Sequence, residues 1–194
     1  MNGEPLYPVF LKLGGRRVLV VGGGRVAASR LPSLLDAQAR VVAVAPHVHP
    51  DLRRPGVTVH ERMFEESDLD DAWFVVAAAT PDVNRRVAAA AAGRRLFVNA
   101  VDDRQQASAY APALVRRGDV VLALSTGGRA PALAGLLREG LAALLPEDLD
   151  DWIEQAASLR ERQRAHGVAF ERRRPALLAA LTRLYGDAAT GTGS

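Results

Sequence analysis

An uncharged apolar run, Val18 to Val21, stops at Gly22, Gly23 and Gly24, and a helical pattern through Leu31, Leu34 and Leu35 follows Ala27. That order reads strand, tight turn, helix. It constrains the fold strongly, because parallel strands need crossover connections and helices are the usual ones. In the form G-x-G-x-x-A, Gly22 makes the turn, Gly24 lets the backbone approach a pyrophosphate, and Ala27 lets helix and strand pack closely. The phosphates of a dinucleotide would lie on the unpaired N–H groups of the helix N-terminus, where the macrodipole favours negative charge.

The first half of the chain repeats the alternation. Arg40 to Ala45 reads as a second buried strand ended by Pro46, Val57 to His60 as a short third, Phe74 to Ala79 as a fourth and Leu96 to Asn99 as a fifth. Phe64, Leu69 and Trp73 mark a brief helical or turn segment, and Thr80-Pro81-Asp82 opens an alanine-rich helix with Asn84 in its first turn and Gly93 at its end. Pro32 falls inside the first helix and should kink or shorten it near Ser29. Leu6 to Leu11 reads as a short apolar arm packed along the sheet. Such an open parallel sheet binds ligands outside the carboxyl ends of its strands.

From Ser108 the pattern changes. Tyr110 to Val115 and Asp119 to Leu124 are β-type runs joined by Arg116-Arg117-Gly118, which predicts a hairpin. The small-residue loop Ser125-Thr126-Gly127-Gly128-Arg129 then leads through Pro131 into a helix from Ala132 to about Leu144. Its hydroxyls, free N–H groups and Arg129 make a second candidate anion site, with an ordinary capped turn as the alternative. Beyond Pro146, Leu149 to Tyr185 carries a helical pattern divided by Gly167 and Pro175 and basic from Arg160 to Arg174. The predicted architecture is α/β. A Rossmann-type parallel sheet occupies residues 1–108, a hairpin and helix 109–146, a small helical region 147–186, and a disordered tail 187–194.

Composition narrows the function. With 194 residues, 48% hydrophobic and 24% charged, the chain can form one full globular domain plus a smaller addition. It has no cysteine, which excludes disulfides, thiolate zinc sites and a cysteine nucleophile. No leader-like segment and no membrane-length apolar run is present, so the expectation is a cytoplasmic protein without a membrane partner. Lys12 is the single lysine among 25 basic residues, the formal charge is +3, and aromatic residues make up only 5%. Without interleaved aromatics this arginine fits an acidic small molecule or dinucleotide at least as well as nucleic acid, with general use of arginine in place of lysine as the plainer alternative.

The glycine turn, Thr80 and Asp102 all fall on the predicted carboxyl edge. A carboxylate facing a nicotinamide is a candidate general base, while helix capping or a solvated turn is the plainer reading of Asp102 and Asp103, and spacing leaves both open. The acid that commonly holds the ribose at the end of the second strand is missing, because that strand runs into Pro46-His47-Val48-His49. Backbone or His47 is left to hold the ribose. His47 and His49 lack a third ligand nearby, so no metal site is expected.

Together and in this order, Pro8-Val9-Phe10-Leu11, Val21-Gly22-Gly23-Gly24-Arg25-Val26-Ala27, Ala78-Ala79-Thr80 with Asn84, Asn99-Ala100-Val101-Asp102-Asp103 and Ser125-Thr126-Gly127-Gly128-Arg129-Ala130-Pro131 resemble the precorrin-2 dehydrogenase family, the dehydrogenase and sometimes ferrochelatase part of siroheme synthase. The resemblance runs from about Leu6 to Leu149. It implies oxidation of precorrin-2 to sirohydrochlorin with NAD as hydride acceptor, on the route to siroheme or cobalamin, with Asp102 as the catalytic residue. By the same matching Gly22, Gly23, Gly24, Arg25, Val26, Pro46, His47 and Thr80 are expected at the cofactor, and Asn99, Ser125, Thr126, Gly127, Gly128 and Arg129 at the polycarboxylate substrate. The family also implies a homodimer joined through roughly Ala109 to Leu145, where an unpaired hairpin edge and an apolar helix need covering. Longer members carry a methyltransferase, for which this chain is too short. Some members have serine at the position of Thr126. Retention of ferrochelatase activity is left open by the sequence. The rival reading from another class is a non-enzymatic NAD(H)-sensing protein whose basic segment, Arg160 to Arg174, meets a partner; nothing there reads as a recognition helix.

Overall fold

Val18 and Val20 alternate with Leu19 and Val21 along β1 (Arg17–Val21), and all four are buried, so the strand has to be covered on both faces. The computed structural model describes residues 5–169 together with 175, 178 and 179. It meets this demand with a five-stranded parallel sheet in the order β3-β2-β1-β4-β5, formed with β2 (Arg40–Val44), β3 (Val57–His60), β4 (Phe74–Ala77) and β5 (Phe97–Ala100). Helix α1 (Arg25–Asp36) covers one face, where Ala27, Leu31 and Leu34 pack on Val18, Val20, Val41 and Ala43. Helix α2 (Pro81–Gly93) covers the other, where Val87 and Ala91 join Leu19, Val21, Val75, Ala77 and Val98. The chain leaves β1 toward β2 and returns to its other side as β4, and that reversal opens a crevice at the carboxyl ends of β1 and β4. The predicted α/β class is what the structure has.

Two compact units divide the chain. The first is Met1–Ala111 with Ser125–Ala130, and the second is Pro112–Leu124 with everything from Pro131 on. In the second, β6 (Ala113–Arg117) and β7 (Val120–Leu124) form an antiparallel pair followed by α3 (Pro131–Leu144) and α4 (Leu149–Ala165). Arg117 pairs with Val120, so the turn is Gly118-Asp119 and lies one step beyond the predicted Arg116-Arg117-Gly118. The positive φ of Gly118, +53°, suits a two-residue hairpin turn. The Arg117 guanidinium donates to the carbonyls of Leu145 and Pro146, tying the hairpin to the end of α3.

Other expectations needed correction. Leu6, Tyr7, Val9, Phe10 and Leu11 are exposed rather than packed along the sheet, and no strand is assigned to this arm. Pro8 lacks the N–H an added edge strand would need. Helix α1 runs through Pro32 to Asp36 and is not shortened; the Ser29 and Ser33 hydroxyls donate to the carbonyls of Val26 (2.8 Å) and Arg30 (3.1 Å) on either side of it. Gly167, at φ +62°, follows the end of α4. Apart from Pro175, Leu178 and Ala179, which are helical, the predicted continuation to Tyr185 and the predicted tail lie outside the described residues. Among the described residues no helix is long and apolar enough to cross a membrane.

A buried carboxylate anchors the segment before β4. Asp68, on a 3-10 turn (Glu66–Leu69), is 5% exposed and accepts both Nη atoms of Arg62, at 2.8 and 2.5 Å, as well as the Glu65 N–H at 2.9 Å. Burial alone would push this carboxyl up, but the Arg62 fork, the Glu65 amide and the nearby Arg17 charge together hold it below the usual carboxylate range. A carboxyl lowered on folding stabilises the fold above its unfolded value and loses that contribution as pH falls through its folded value. Asp68→Asn is therefore expected to lower stability at neutral pH by about 1–2 kcal/mol, the Arg62 end of the pair being open to solvent. Denaturant melts should show the gap from the parent protein closing as the pH drops below the ordinary aspartate range.

Candidate functional site

The site is built from the glycine turn outward. A Cβ on Gly22 would stand 2.3 Å from the Ala78 carbonyl oxygen, and one on Gly23 would stand 1.7 Å from that of His47. Gly22 also has φ +133°, which L side chains rarely adopt. Both glycines are thus needed so that the turn can pass between the ends of β4 and β2. Three backbone bonds close the junction: Gly22 N–H to the Val44 carbonyl (3.0 Å), Ala78 N–H to that of Val21 (2.8 Å) and His49 N–H to that of Gly23 (2.7 Å). At Gly24, by contrast, a Cβ would meet nothing within 4 Å. Gly24 is the N-cap of α1, contributes no side-chain cap, and its carbonyl takes the first helical bond, from Ala28 N–H at 3.1 Å. The first-turn amides of α1 have no carbonyl within their own helix to reach, and they form the positive end of the helix dipole. The residues present therefore fit a pyrophosphate, as the G-x-G-x-x-A pattern requires.

Beside this turn lies a cleft of about 240 Å³ lined by Val26, Ala78, Ala79, Pro81, Asn84, Val101, Asp102 and Asp103. Asn84 is 3% exposed, and its Oδ1 accepts the Ala79 N–H at 3.0 Å, which holds the strand-to-helix corner in shape. Asp102 follows β5 with φ +59° and is exposed, and no hydrogen bond or ion pair engages its carboxylate among the described residues. Asp103 behaves differently. Its Oδ1 accepts the N–H groups of Gln105 (3.2 Å) and Gln106 (3.3 Å), so it shapes the loop that presents its neighbour. No helix follows to be capped, so of the two plainer readings left open by spacing Asp103 takes the turn.

The remaining expected residues are distributed as follows. Val26 lines the cleft directly and is 45% exposed, and Arg25 is exposed at the start of α1. Pro46 and His47 are exposed in the loop that clasps Gly23, and His49 Nδ1 accepts the Asp51 N–H at 3.2 Å. Thr80 is the exposed N-cap of α2, without a side-chain cap bond. Asn99 does not line the cleft; it is 7% exposed and its Nδ2 donates to the Ala109 carbonyl at 3.1 Å, pinning the far end of the Asp102 loop to β5. In the Ser125–Arg129 loop, Ser125 Oγ accepts the Gly127 N–H (3.1 Å) and Thr126 Oγ1 accepts the Ala130 N–H (3.2 Å), while Gly128 and Arg129 are exposed. A Cβ on Gly128 would come within 3.2 Å of Arg104 Cδ, so the Arg104 stem lies across this loop and brings it against the loop of Asp102. Sequence reasoning passed over Asn84 and Arg104 as site residues. The motif Ala78-Ala79-Thr80 with Asn84 carried the available signal for the first, and for the second there was none.

A parallel sheet with its switch point beside a glycine turn, an open helix N-terminus and a cleft on the same edge defines a Rossmann-type dinucleotide-binding protein. The chain belongs to the family described as "Putative NAD(P)-binding", whose profile matches residues 9–113. It is 41% identical over 172 residues to siroheme synthase 1 of Aeromonas hydrophila, covering 86% of this chain and 37% of that protein. It is 39% identical over 173 residues to the siroheme synthase of Salmonella paratyphi A, covering 86% of this chain and 38% of that protein. The chain thus spans little more than a third of the length of these curated relatives. Among solved structures it is similar to SirC, a precorrin-2 dehydrogenase, with a TM-score of 0.67 and 27% identity, covering 90% of this chain and 88% of that one. These relatives agree with the family resemblance carried by the motifs.

Two of the three glycines should separate by experiment. Gly23→Ala drives a methyl group into the His47 carbonyl, so it should lower the melting temperature and abolish nicotinamide-dinucleotide binding together. Gly24→Ala meets open space and should leave the melting temperature nearly unchanged while weakening binding by about tenfold or more, because the new methyl group occupies the phosphate approach. Thermal melts and calorimetric titration with NAD check both outcomes.

Proposed function

We propose that this chain is an NAD-dependent precorrin-2 dehydrogenase that oxidises precorrin-2 to sirohydrochlorin, with Asp102 as its general base. The observation that carries the reading is the placement of an exposed carboxylate, without a partner among the described residues, on the lip of the cleft that adjoins the glycine turn. The likeness to SirC over nine tenths of the chain supports it, as do the siroheme synthase relatives.

The nicotinamide, when bound, supplies the hydride acceptor. Gly24 and the first-turn amides of α1 would hold the pyrophosphate, and Pro46 and His47, in the loop clasped on Gly23, would meet the adenosine half. No acid stands at the end of β2 to reject a 2′-phosphate, so the preference for NAD rests on the family rather than on that position. Val26, Ala78, Ala79 and Pro81 form an apolar wall on which the nicotinamide ring can lie. As a hydride leaves one carbon of the substrate, the adjoining proton passes to Asp102 and a carbon–carbon or carbon–nitrogen double bond forms, so charge and atoms balance. Asp103 and Asn99 position that carboxylate by fixing its loop at both ends. Arg129 and Arg104, on adjoining loops, would receive carboxylates of the substrate, for which guanidinium forks are suited.

We further infer that the chain works as a homodimer joined through its second unit. Leu133, Leu136, Leu137 and Leu144 of α3 are all exposed in a single chain, and the β6–β7 pair offers unpaired edges. Sedimentation of the full chain should give a dimer, and Leu136→Asp combined with Leu137→Asp should give a monomer.

The reaction itself is tested anaerobically with enzymatically generated precorrin-2 and NAD, following the visible spectrum toward sirohydrochlorin together with NADH formation. Asp102→Ala is expected to lower turnover by roughly 10²–10⁴ while NAD affinity stays unchanged. A parent protein that binds NAD yet leaves precorrin-2 untouched would overturn the assignment in favour of an NAD(H) sensor.

A further inference from the structure

At the opposite edge of the sheet, where the strands begin, the molecule carries a second cleft of about 250 Å³ that the dehydrogenase reading leaves unused. Arg16, Arg17, Arg40, Asp71 and Trp73 line it. Arg17 and Arg40 are register partners on the first rung of β1 and β2, so they start side by side on one face of the sheet. Like charges in that position repel one another. Among the described residues none of the three arginines is ion-paired.

Neutral groups hold them instead. Arg17 Nη1 donates to the carbonyls of Asp68 (2.7 Å) and Asp70 (2.6 Å), Arg40 Nε donates to that of Gly15 (3.0 Å), and the Arg16 guanidinium lies over the Trp73 ring, 3.8 Å from its centroid. Such contacts fix the geometry of a guanidinium without cancelling its charge. Asp71, which has φ +60° and no partner of its own among the described residues, is the one carboxylate in the lining against three arginines, while Asp68, whose charge Arg17 also feels, is already forked by Arg62. The cleft is therefore pre-organised, carries two net positive charges, and retains N–H donors from Arg16 and Arg40. Trp73, 54% exposed, adds an aromatic surface.

We propose that this cleft is a second anion site that binds a small phosphate group, either inorganic phosphate or a phosphate monoester. A phosphate carries close to two negative charges near neutral pH and several acceptor oxygens, which matches two guanidinium forks better than a lone carboxylate does. A volume of about 250 Å³ lies below the usual range for drug-sized ligands, so the occupant is small. The site is independent of the dinucleotide cleft, which lies at the other end of β1, and the proposal does not depend on the dehydrogenase reading.

The test uses the full chain with saturating NAD present, so that the dinucleotide cleft is already filled. Inorganic phosphate and phenyl phosphate are titrated by calorimetry against chloride at matched ionic strength, and Trp73 fluorescence is read in a Trp152→Phe background, these being the only two tryptophans. Saturable binding with a Trp73 response is expected, weakened about tenfold or more by Arg40→Gln and by Arg16→Gln, with NAD affinity unchanged. Tighter binding of phenyl phosphate than of phosphate assigns the site to a monoester, and equal binding assigns it to free phosphate. Should Arg40→Gln fail to fold, Arg16→Gln decides, since it gives up only the stacking on Trp73. No saturation beyond the chloride control, or binding that survives both substitutions, overturns the proposal.

Discussion

Two backbone carbonyl oxygens stand where side chains would otherwise be, that of Ala78 against Gly22 and that of His47 against Gly23. This close approach joins the carboxyl ends of β1, β2 and β4 into one junction, and the three backbone hydrogen bonds around it leave no slack. Everything on that edge takes its position from the junction. The start of α1 is aimed by it, the loop after β2 is clasped by it, and the corner into α2 begins at the residue whose carbonyl it receives. A dinucleotide site needs such rigidity because backbone amides bind phosphate only when they already converge.

The same sheet separates two kinds of chemistry by strand length. Its strand ends present uncharged backbone donors and one free carboxylate, while its strand starts collect arginines held by carbonyls and by Trp73. A sheet buried on both faces has no other surface on which to place polar groups, so its two rims carry whatever function the fold has. Asp68 serves the second rim from below, fixing the segment whose carbonyls Arg17 reaches.

The five strands were legible because each is a short apolar run bounded by glycine, proline or charge, and helix α2 because Pro81 and Gly93 mark its ends. The order β3-β2-β1-β4-β5 was not, since near-identical valine and alanine runs carry no information about their neighbours. The arm from Leu6 to Leu11 misled for the converse reason: its hydrophobicity was plain, but Pro8 withholds the backbone donor that pairing needs. At the site, the glycines and Asp102 could be found from spacing. That Asn99 turns to the Ala109 carbonyl, or that the hydroxyls of Ser125 and Thr126 serve backbone N–H groups of their own loop, depends on folded geometry. Arg104 is the clearest omission, because its contact with Gly128 joins loops about two dozen residues apart.

The left-handed backbone at Asp102 has a consequence for how this position can vary. A residue with a Cβ held there costs about 1 kcal/mol or more relative to glycine, and asparagine would suit the same backbone well. Neither replacement would disturb a neighbour through a lost bond, since the carboxylate engages none among the described residues. Gln38, Asp71 and Arg95 hold nearly the same φ, so this backbone accepts side chains of quite different chemistry and leaves the choice at 102 open to whatever the cleft receives.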